Sequence, residues 1–196
     1  MAAVNKTSAI RAVIRETVEQ PIIFTTGYSS RIAVSISDRP NHFYMTGSMG
    51  LAASIGAGLA LASGLSTVVI DGDGSLAMNP GCLLTVGSMP AIPLLHIVLD
   101  DGLYESTGGQ AVPTDGVNFA ALAKSSGYED AFRVDDLGDF TDLLRKNIEG
   151  HLRPTLIHCV LSDRGVMDLP SRVDGDLRRQ QLRFSRHVSR VKLCAR

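Results

Sequence analysis

Tryptophan is missing from this 196-residue chain, and aromatic residues make up only 5% of it although 44% is hydrophobic. A core is available, and it must be assembled from small aliphatic side chains within a single domain. An excess of charge of one sign is missing too. Nineteen Lys+Arg against twenty Asp+Glu leave a net charge of −1, which excludes a general attraction to nucleic acid or to an anionic membrane. The longest apolar run, LAASIGAGLALA, is too short and too glycine-rich to span a bilayer. Cysteine is scarce and scattered. Cys82, Cys159 and Cys194 form no CxxC pair and no metal-ligand spacing, so reduced thiols and a cytoplasmic location are expected. The first twenty residues hold no apolar stretch of the kind an export signal needs, and they pattern instead as an amphipathic helix.

What is present is an alternation of short apolar runs with helical patterns. Strands are expected at PIIFTT (Pro21 to Thr26), TVVID, PLLHIVLD (Pro93 to Asp100), DAFRV and RPTLIHCVL. Helices are expected from Ser48 to Ser63, from about Pro80 to Met89, and at NFAALAKSSG and LGDFTDLLRKNIEG. Nearly continuous hydrophobic strands separated by helices predict an α/β fold, a doubly wound, mainly parallel sheet with helices on both faces. This body is expected over residues 1–169. Eight arginines among the last 33 residues mark 170–196 as a basic C-terminal helix or tail, read as a solvated surface helix with a subunit contact as the alternative.

Within the body, VVIDGDGSLAMNP (Val68 to Pro80) puts two Asp-Gly pairs at the mouth of a strand. A hairpin would need an alternating second strand, which SLAMNPGCLLTVGSM lacks. An EF-hand loop starting at Asp71 would need Gly sixth and Glu twelfth, where Leu76 and Cys82 stand. The following residues read as a helix entered through Ser75 or Asn79. Ligands of open parallel sheets sit beyond the carboxyl ends of the strands, so the informative loops are TTGYSS, DGDGS and DDGLYESTGGQ. Their glycines let backbone N–H groups approach phosphate oxygens. Asp73 and Asp101 follow different strands, and with phosphate oxygens they suit magnesium. Two turn or N-capping aspartates with no ligand remain the alternative. GAGLAL (Gly56 to Leu61) contains GxG, but it lies in a helical run of small residues and lacks a third glycine, so it predicts no dinucleotide site. Gly50, Ala53, Ala57 and Ala60 are expected to let that helix press on the sheet.

GDG, followed after 25 residues by Asp100 and Asp101, resembles the thiamine-diphosphate signature of the pyruvate decarboxylase and acetolactate synthase superfamily. FYMTGSMGLAASIGAGLAL, GDGSLAMN and LLHIVLDDGLYESTGGQ bring the chain nearer to the phosphonopyruvate and sulfopyruvate decarboxylases, over their diphosphate-binding part. The resemblance runs from about Ile22 to Leu169, with three motifs in order. It implies thiamine diphosphate and Mg2+ as cofactors, with the metal held by Asp73, Asp101 and the carbonyl of Leu103. It assigns Thr25, Thr26, Gly27, Gly72, Gly74 and Ser75 to the diphosphate. Gly47, Ser48 and Met49 would meet the pyrimidine and bend the cofactor, and Leu103 and Tyr104 would border it. Ser106 and Thr107 would face thiazolium and substrate. Arg31 is a candidate for holding an anionic substrate group, because a guanidinium matches oxyanions, with a surface or structural arginine as the alternative. Met49 packing plainly in the core is the alternative there. The family usually has Asn where Asp101 stands, so a second carboxylate here strengthens a metal site and repels a metal-free diphosphate.

These enzymes also need a glutamate at the pyrimidine N1′, contributed by a separate pyrimidine-binding domain. None of the five glutamates, Glu16, Glu19, Glu105, Glu129 and Glu149, matches that position. The resemblance therefore implies one subunit of a split 2-oxo acid decarboxylase, in a heterotetramer of two plus two chains. Its substrate would be a small anionic 2-oxo acid such as 3-phosphonopyruvate or 3-sulfopyruvate, with no nucleic-acid or membrane partner. A carboligase of the acyloin or acetolactate type and a non-catalytic binding module of the same fold are the other readings.

Overall fold

The computed structural model describes residues 3–148, 153–162, 170–173 and 175–194. In chain order the elements are α1 (Lys6–Glu16), β1 (Ile22–Phe24), α2 (Tyr28–Ile36), β2 (His42–Tyr44), α3 (Ala52–Ser63), β3 (Thr67–Gly72) and α4 (Asp73–Met78). They continue with α5 (Gly81–Gly87), β4 (Leu94–Asp100), β5 (Leu103–Tyr104), a 3-10 turn (Glu105–Thr107), β6 (Gln110–Ala111) and α6 (Phe119–Ser125). The last are β7 (Asp130–Val134), α7 (Leu137–Ile148), β8 (Thr155–Val160) and α8 (Leu177–Cys194). Six strands form one sheet in the order β2-β1-β3-β4-β8-β7, and every pair is parallel. β5 and β6 make a separate antiparallel hairpin.

The period of two along each strand sorts the core into two layers. Ile22, Phe24, Val68, Ile70, Ile97 and Ile157 face α1, α2 and α7. Ile23, Val69, Val98 and Leu156 face α3, α5 and α6. The central strands are covered on both faces, which is why β3 and β4 read as unbroken apolar runs. Local signals set the helices. Asn5 and Ser8 close a reciprocal capping box at the start of α1, with Ser8 N–H donating to Asn5 Oδ1 at 2.8 Å. Asn118 caps α6 by accepting from Ala121 N–H at 3.1 Å.

α3 lies closest to the sheet at Gly56, where an added Cβ would stand 2.2 Å from Val69 Cγ2. The glycine of GAGLAL thus serves close packing, together with buried Ala53, Ala57 and Ala60. Gly50 precedes the helix. α3 begins at Ala52 rather than Ser48, because Ser48 (φ 57°) and Gly50 (φ 93°) form a left-handed turn ahead of it. The helix after GDG is two short helices, and neither is entered through Ser75 or Asn79. α4 starts directly on Asp73, with Ser75 inside it, and Asn79 ends it; Pro80 precedes α5. α2, β2 and the β5–β6 hairpin are additions to the elements read from sequence.

The arginine-rich α8 packs across the outer strand β2. Phe184 meets Phe43 with ring centroids 5.4 Å apart, and His187 Nε2 lies 2.8 Å from the Glu19 carbonyl. Arg183 pairs with Asp38 and Arg190 with Glu19. α8 thereby extends the apolar layer on the α3 face of the sheet. Among the described residues no helix is long and apolar enough to cross a membrane.

The topology fixes where a ligand goes. From β1 the chain crosses to β2 on one side, and from β3 to β4 on the other, so the connections diverge at the β1/β3 boundary. The carboxyl ends of those strands flank a crevice. The loop Thr25–Gly27 and the start of α4 open into it.

Candidate active site

Three chain segments meet at that crevice. Thr25 leaves β1 with its N–H bonded to the Ile70 carbonyl at 2.8 Å, which ties its loop to β3. Its Oγ1 lies 3.0 Å from Ser75 Oγ, and Ser75 Oγ accepts Gly50 N–H at 3.1 Å. One hydroxyl thus joins the β1 loop, α4 and the turn that carries Gly47 to Met49. Asn79 Nδ2 donates to the Gly50 carbonyl at 3.0 Å and holds the same turn. At Gly74 a Cβ would approach Tyr104 Cε1 to 2.4 Å, so glycine is required for α4 to pass beneath the β5–β6 hairpin.

Acidic groups collect on one side. Asp73 is 2% exposed, and its Oδ2 accepts Gly102 N–H at 3.0 Å. Burial pushes its pKa up to about 7, helped by the carboxylates of Asp101 and Asp100 and opposed by Gly74 N–H and Lys6. The two consecutive aspartates point to different partners. Asp100 Oδ2 lies 2.8 Å from His158 Nε2, on the neighbouring strand β8. Asp101 Oδ2 accepts from Lys6 Nζ at 2.5 Å, and Lys6 also donates to Glu105 Oε2 at 2.8 Å. Lys6 is 8% exposed. Burial alone would lower its pKa, but the attraction and hydrogen bonds of Asp101 and Glu105 outweigh this and hold it above the ordinary value.

Thr25, Thr26, Met49, Gly72, Asp73, Gly74, Ser75, Asp101, Leu103, Tyr104, Ser106 and Thr107 line one cavity of about 60 Å³. Lys6, Tyr28, Ser29 and Glu105 complete its walls. Gly27 and Arg31 line a second cavity of about 360 Å³, which shares Thr26 and Ser106 with the first. Gly47 and Ser48 lie apart from both, in a groove bordered by Leu177, Gln180 and Gln181 of α8.

Sequence reasoning missed Lys6, Glu105 and Arg172 as parts of this region. Lys6 carried a signal: it stands on the i, i+3, i+4, i+7 stripe with Ala9, Ile10 and Val13 that forms the buried face of α1. A lysine on an apolar stripe calls for a buried partner. Glu105 and Arg172 carried no comparable local signal.

The donor set suits a divalent cation with phosphate. Three carboxylates, Asp73, Asp101 and Glu105, face a single ammonium in the first cavity, which leaves negative charge to be neutralised. Among the described residues no group of three His, Cys, Asp or Glu side chains is arranged to hold a metal ion by itself. A cation here would complete its shell with backbone carbonyl and ligand oxygens, as magnesium does at phosphate sites.

Known proteins resemble this chain in sequence and in fold. Residues 25–159 match the family described as "Thiamine pyrophosphate enzyme, C-terminal TPP binding domain". The chain is 41% identical over 140 residues to a phosphonopyruvate decarboxylase of Streptomyces viridochromogenes, covering 71% of this chain and 35% of that one. It is 40% identical over 133 residues to a sulfopyruvate decarboxylase subunit beta of Methanothermobacter thermautotrophicus, covering 68% of this chain and 72% of that one. The 4-hydroxybenzoylformate decarboxylase of Rhodococcus jostii superposes with a TM-score of 0.66 at 21% identity, over 84% of this chain and 34% of that one. The benzoylformate decarboxylase of Polynucleobacter necessarius gives a TM-score of 0.67 at 16% identity, over 79% and 32%. These two likenesses are of fold. The chain spans about a third of the length of the phosphonopyruvate decarboxylases it matches. It belongs to the thiamine-pyrophosphate enzyme family, as a C-terminal TPP-binding domain.

Proposed function

We propose that this chain is the diphosphate- and magnesium-binding subunit of a thiamine-dependent decarboxylase for a three-carbon 2-oxo acid with an anionic 3-substituent, 3-phosphonopyruvate or 3-sulfopyruvate. The observation that carries the reading is the meeting of Asp73, Gly74 and Ser75 with Thr25 and Asp101 at the β1/β3 crevice of a family member. The relatives' names supply the substrate class.

Asp73, Asp101 and the Leu103 carbonyl would hold the magnesium ion, and Thr25, Thr26, Gly74 and Ser75 the diphosphate. When bound, the cofactor supplies the carbon nucleophile and the electron sink for loss of CO2. The chain's own residues bind, orient and exclude water. Ser75 and Thr25 fix each other's hydroxyls, so their polar atoms are set before a ligand arrives. Met49 borders the first cavity with an apolar side chain, suited to pressing on a bent cofactor. Ser106 and Thr107 stand at the outer rim, where a substrate enters.

The activating glutamate would come from a pyrimidine-binding chain, in a heterotetramer of two plus two. "Subunit beta" in a relative's name supports a partner chain, and so does the exposure of Gly47, Ser48 and residues 106–110 beside the site. Free Cys82, Cys159 and Cys194 suit a reducing compartment, and we infer action in the cytoplasm.

The test combines the chain with a pyrimidine-binding chain encoded beside it, thiamine diphosphate and Mg2+, and measures CO2 and aldehyde from both acids. Turnover should require both chains. Efficient turnover by this chain alone refutes the split site, and product formed only when an acceptor aldehyde is added points to a carboligase.

A further inference from the structure

The second cavity has the opposite charge to the first. Its described walls include Arg31 and Arg172 and no acidic residue. Arg31 is held from two sides: its guanidinium lies 5.1 Å from the centroid of the Tyr28 ring, and its Nε donates to the Pro170 carbonyl at 2.6 Å. Neither of its terminal nitrogens donates to another described residue, so a fixed planar fork keeps the four N–H donors of those nitrogens unspent. Arg172 lines the same cavity, exposed, with no described hydrogen-bond partner. The hydroxyls of Thr46 and Ser106 supply further donors. Thr26 and Ser106 belong to both cavities and form the neck between them.

Two guanidiniums lining one cavity, with no acidic residue among its described walls, suit an oxyanion, because a bound anion offsets their mutual repulsion and accepts their unspent N–H groups. We infer that the Arg31–Arg172 cavity is the subsite for the phosphonate or sulfonate group of the substrate. This rests on the decarboxylase reading above and adds the residues that read the 3-substituent. With that group between the arginines, the 2-oxo acid end of a three-carbon substrate reaches through the Thr26–Ser106 neck toward the cavity assigned to the cofactor. Arg31 and Arg172 act on specificity.

The competing source of the same chemistry is the diphosphate of the cofactor, and binding measurements separate the two. Titration calorimetry uses 3-phosphonopropionate and 3-sulfopropionate, unreactive probes lacking the 2-oxo group, on the assembled two-chain enzyme with thiamine diphosphate and Mg2+. Arg31→Met/Arg172→Met should weaken both probes about tenfold or more, as expected for loss of charge-assisted bonds, while thiamine diphosphate binds as to wild type. In turnover the double variant should raise KM for the anionic acid more than it lowers kcat, and the preference for phosphonopyruvate over pyruvate should narrow. Arg172→Met alone, which removes no contact within the described fold, should show the same trend in smaller degree if the double variant folds poorly. Unchanged probe affinity in Arg172→Met and in Arg31→Lys overturns the proposal. So does a fall in thiamine diphosphate affinity matching that of the probes, which gives the cavity to the cofactor. Failure of the decarboxylase reading looks different: wild type then releases no CO2 from either acid, or forms product only with an added acceptor aldehyde, whatever the probe affinities.

Discussion

Asp71 and Asp73 leave the same strand two residues apart, and both are buried, at 1% and 2% exposure. Their surroundings differ in who supplies the partners. Asp71 Oδ1 accepts Gly72 N–H at 3.0 Å, and its Oδ2 faces His96 Nε2 at 3.4 Å; His96 Nδ1 lies 3.1 Å from the Tyr128 hydroxyl. That network closes inside the fold. Asp73 has backbone N–H groups of Gly102 and Gly74 and, more distantly, Lys6 against burial and two neighbouring carboxylates, and its pKa is pushed up to about 7. Burial of a carboxylate therefore does not mark a site; burial without enough positive charge from the fold does.

Breaking each member of the pair should give opposite phenotypes. Asp73→Ala should weaken retention of thiamine diphosphate with Mg2+ by at least about a hundredfold, since even an outer-shell partner of a metal costs 10–100-fold, and the fold should persist. Asp71→Ala should leave cofactor affinity within a few-fold of wild type. It should cost roughly 1–3 kcal/mol of stability by leaving His96 and Tyr128 buried with an incomplete network. Calorimetric titration and urea unfolding on the same samples check both, and equal cofactor loss in the two variants would erase the distinction.

A smaller effect sharpens the comparison through pH. In the metal-free protein the folded pKa of Asp73, about 7, lies above its ordinary value of 3.8. The folded state therefore holds a proton that the unfolded chain has released, and stability falls as pH rises from about 4 to 7 and then levels off. Asp73→Asn removes this titration. Its Tm should match wild type near pH 4, exceed it progressively toward pH 7, and keep a constant advantage above. Parallel Tm profiles for the two proteins would deny Asp73 its unpaired charge.

The sequence showed the sheet where burial is uniform and the site where it is contiguous. The runs behind β3 and β4 are unbroken because both faces of those strands are covered. DAFRV coincides with β7 although that outer strand is half-buried or exposed throughout. α2 was hidden because YSSRIAVSI is rich in serine and β-branched residues with weak helix propensity. Tertiary contacts hold it instead, with Ile32 and Ala33 buried and Ser30 Oγ bonded to the Thr25 carbonyl at 2.7 Å. β2 is three residues long, too short for alternation to register. In the site, Gly72 to Ser75 were legible as one motif. The pairing of Lys6 with Asp101 spans 95 positions, and only the packing of α1 on the sheet brings the two together. Arg172 is a lone arginine whose meaning comes from lining the same cavity as Arg31.

The smallest effect is expected at Asp101. Its carboxylate is already shared, because the Lys6 ammonium sits 2.5 Å away and neutralises much of the charge it would offer a metal. An amide in its place still accepts from Lys6 and still presents an oxygen to a cation. Asp101→Asn should therefore change the magnesium dependence of thiamine diphosphate binding only a few-fold, far less than Asp73→Ala. Lys6→Met should act in the other direction, tightening divalent-metal binding in the absence of cofactor, because it removes a competing cation from Asp101 and Glu105. In the double variant Lys6→Met/Asp101→Asn the two changes should largely cancel, as coupled neighbours do. Mn2+ titration followed by electron paramagnetic resonance reads the free metal directly, with no need for turnover. A loss in Asp101→Asn as deep as in Asp73→Ala would mean that both aspartates are committed to the ion and that Lys6 does not share the second.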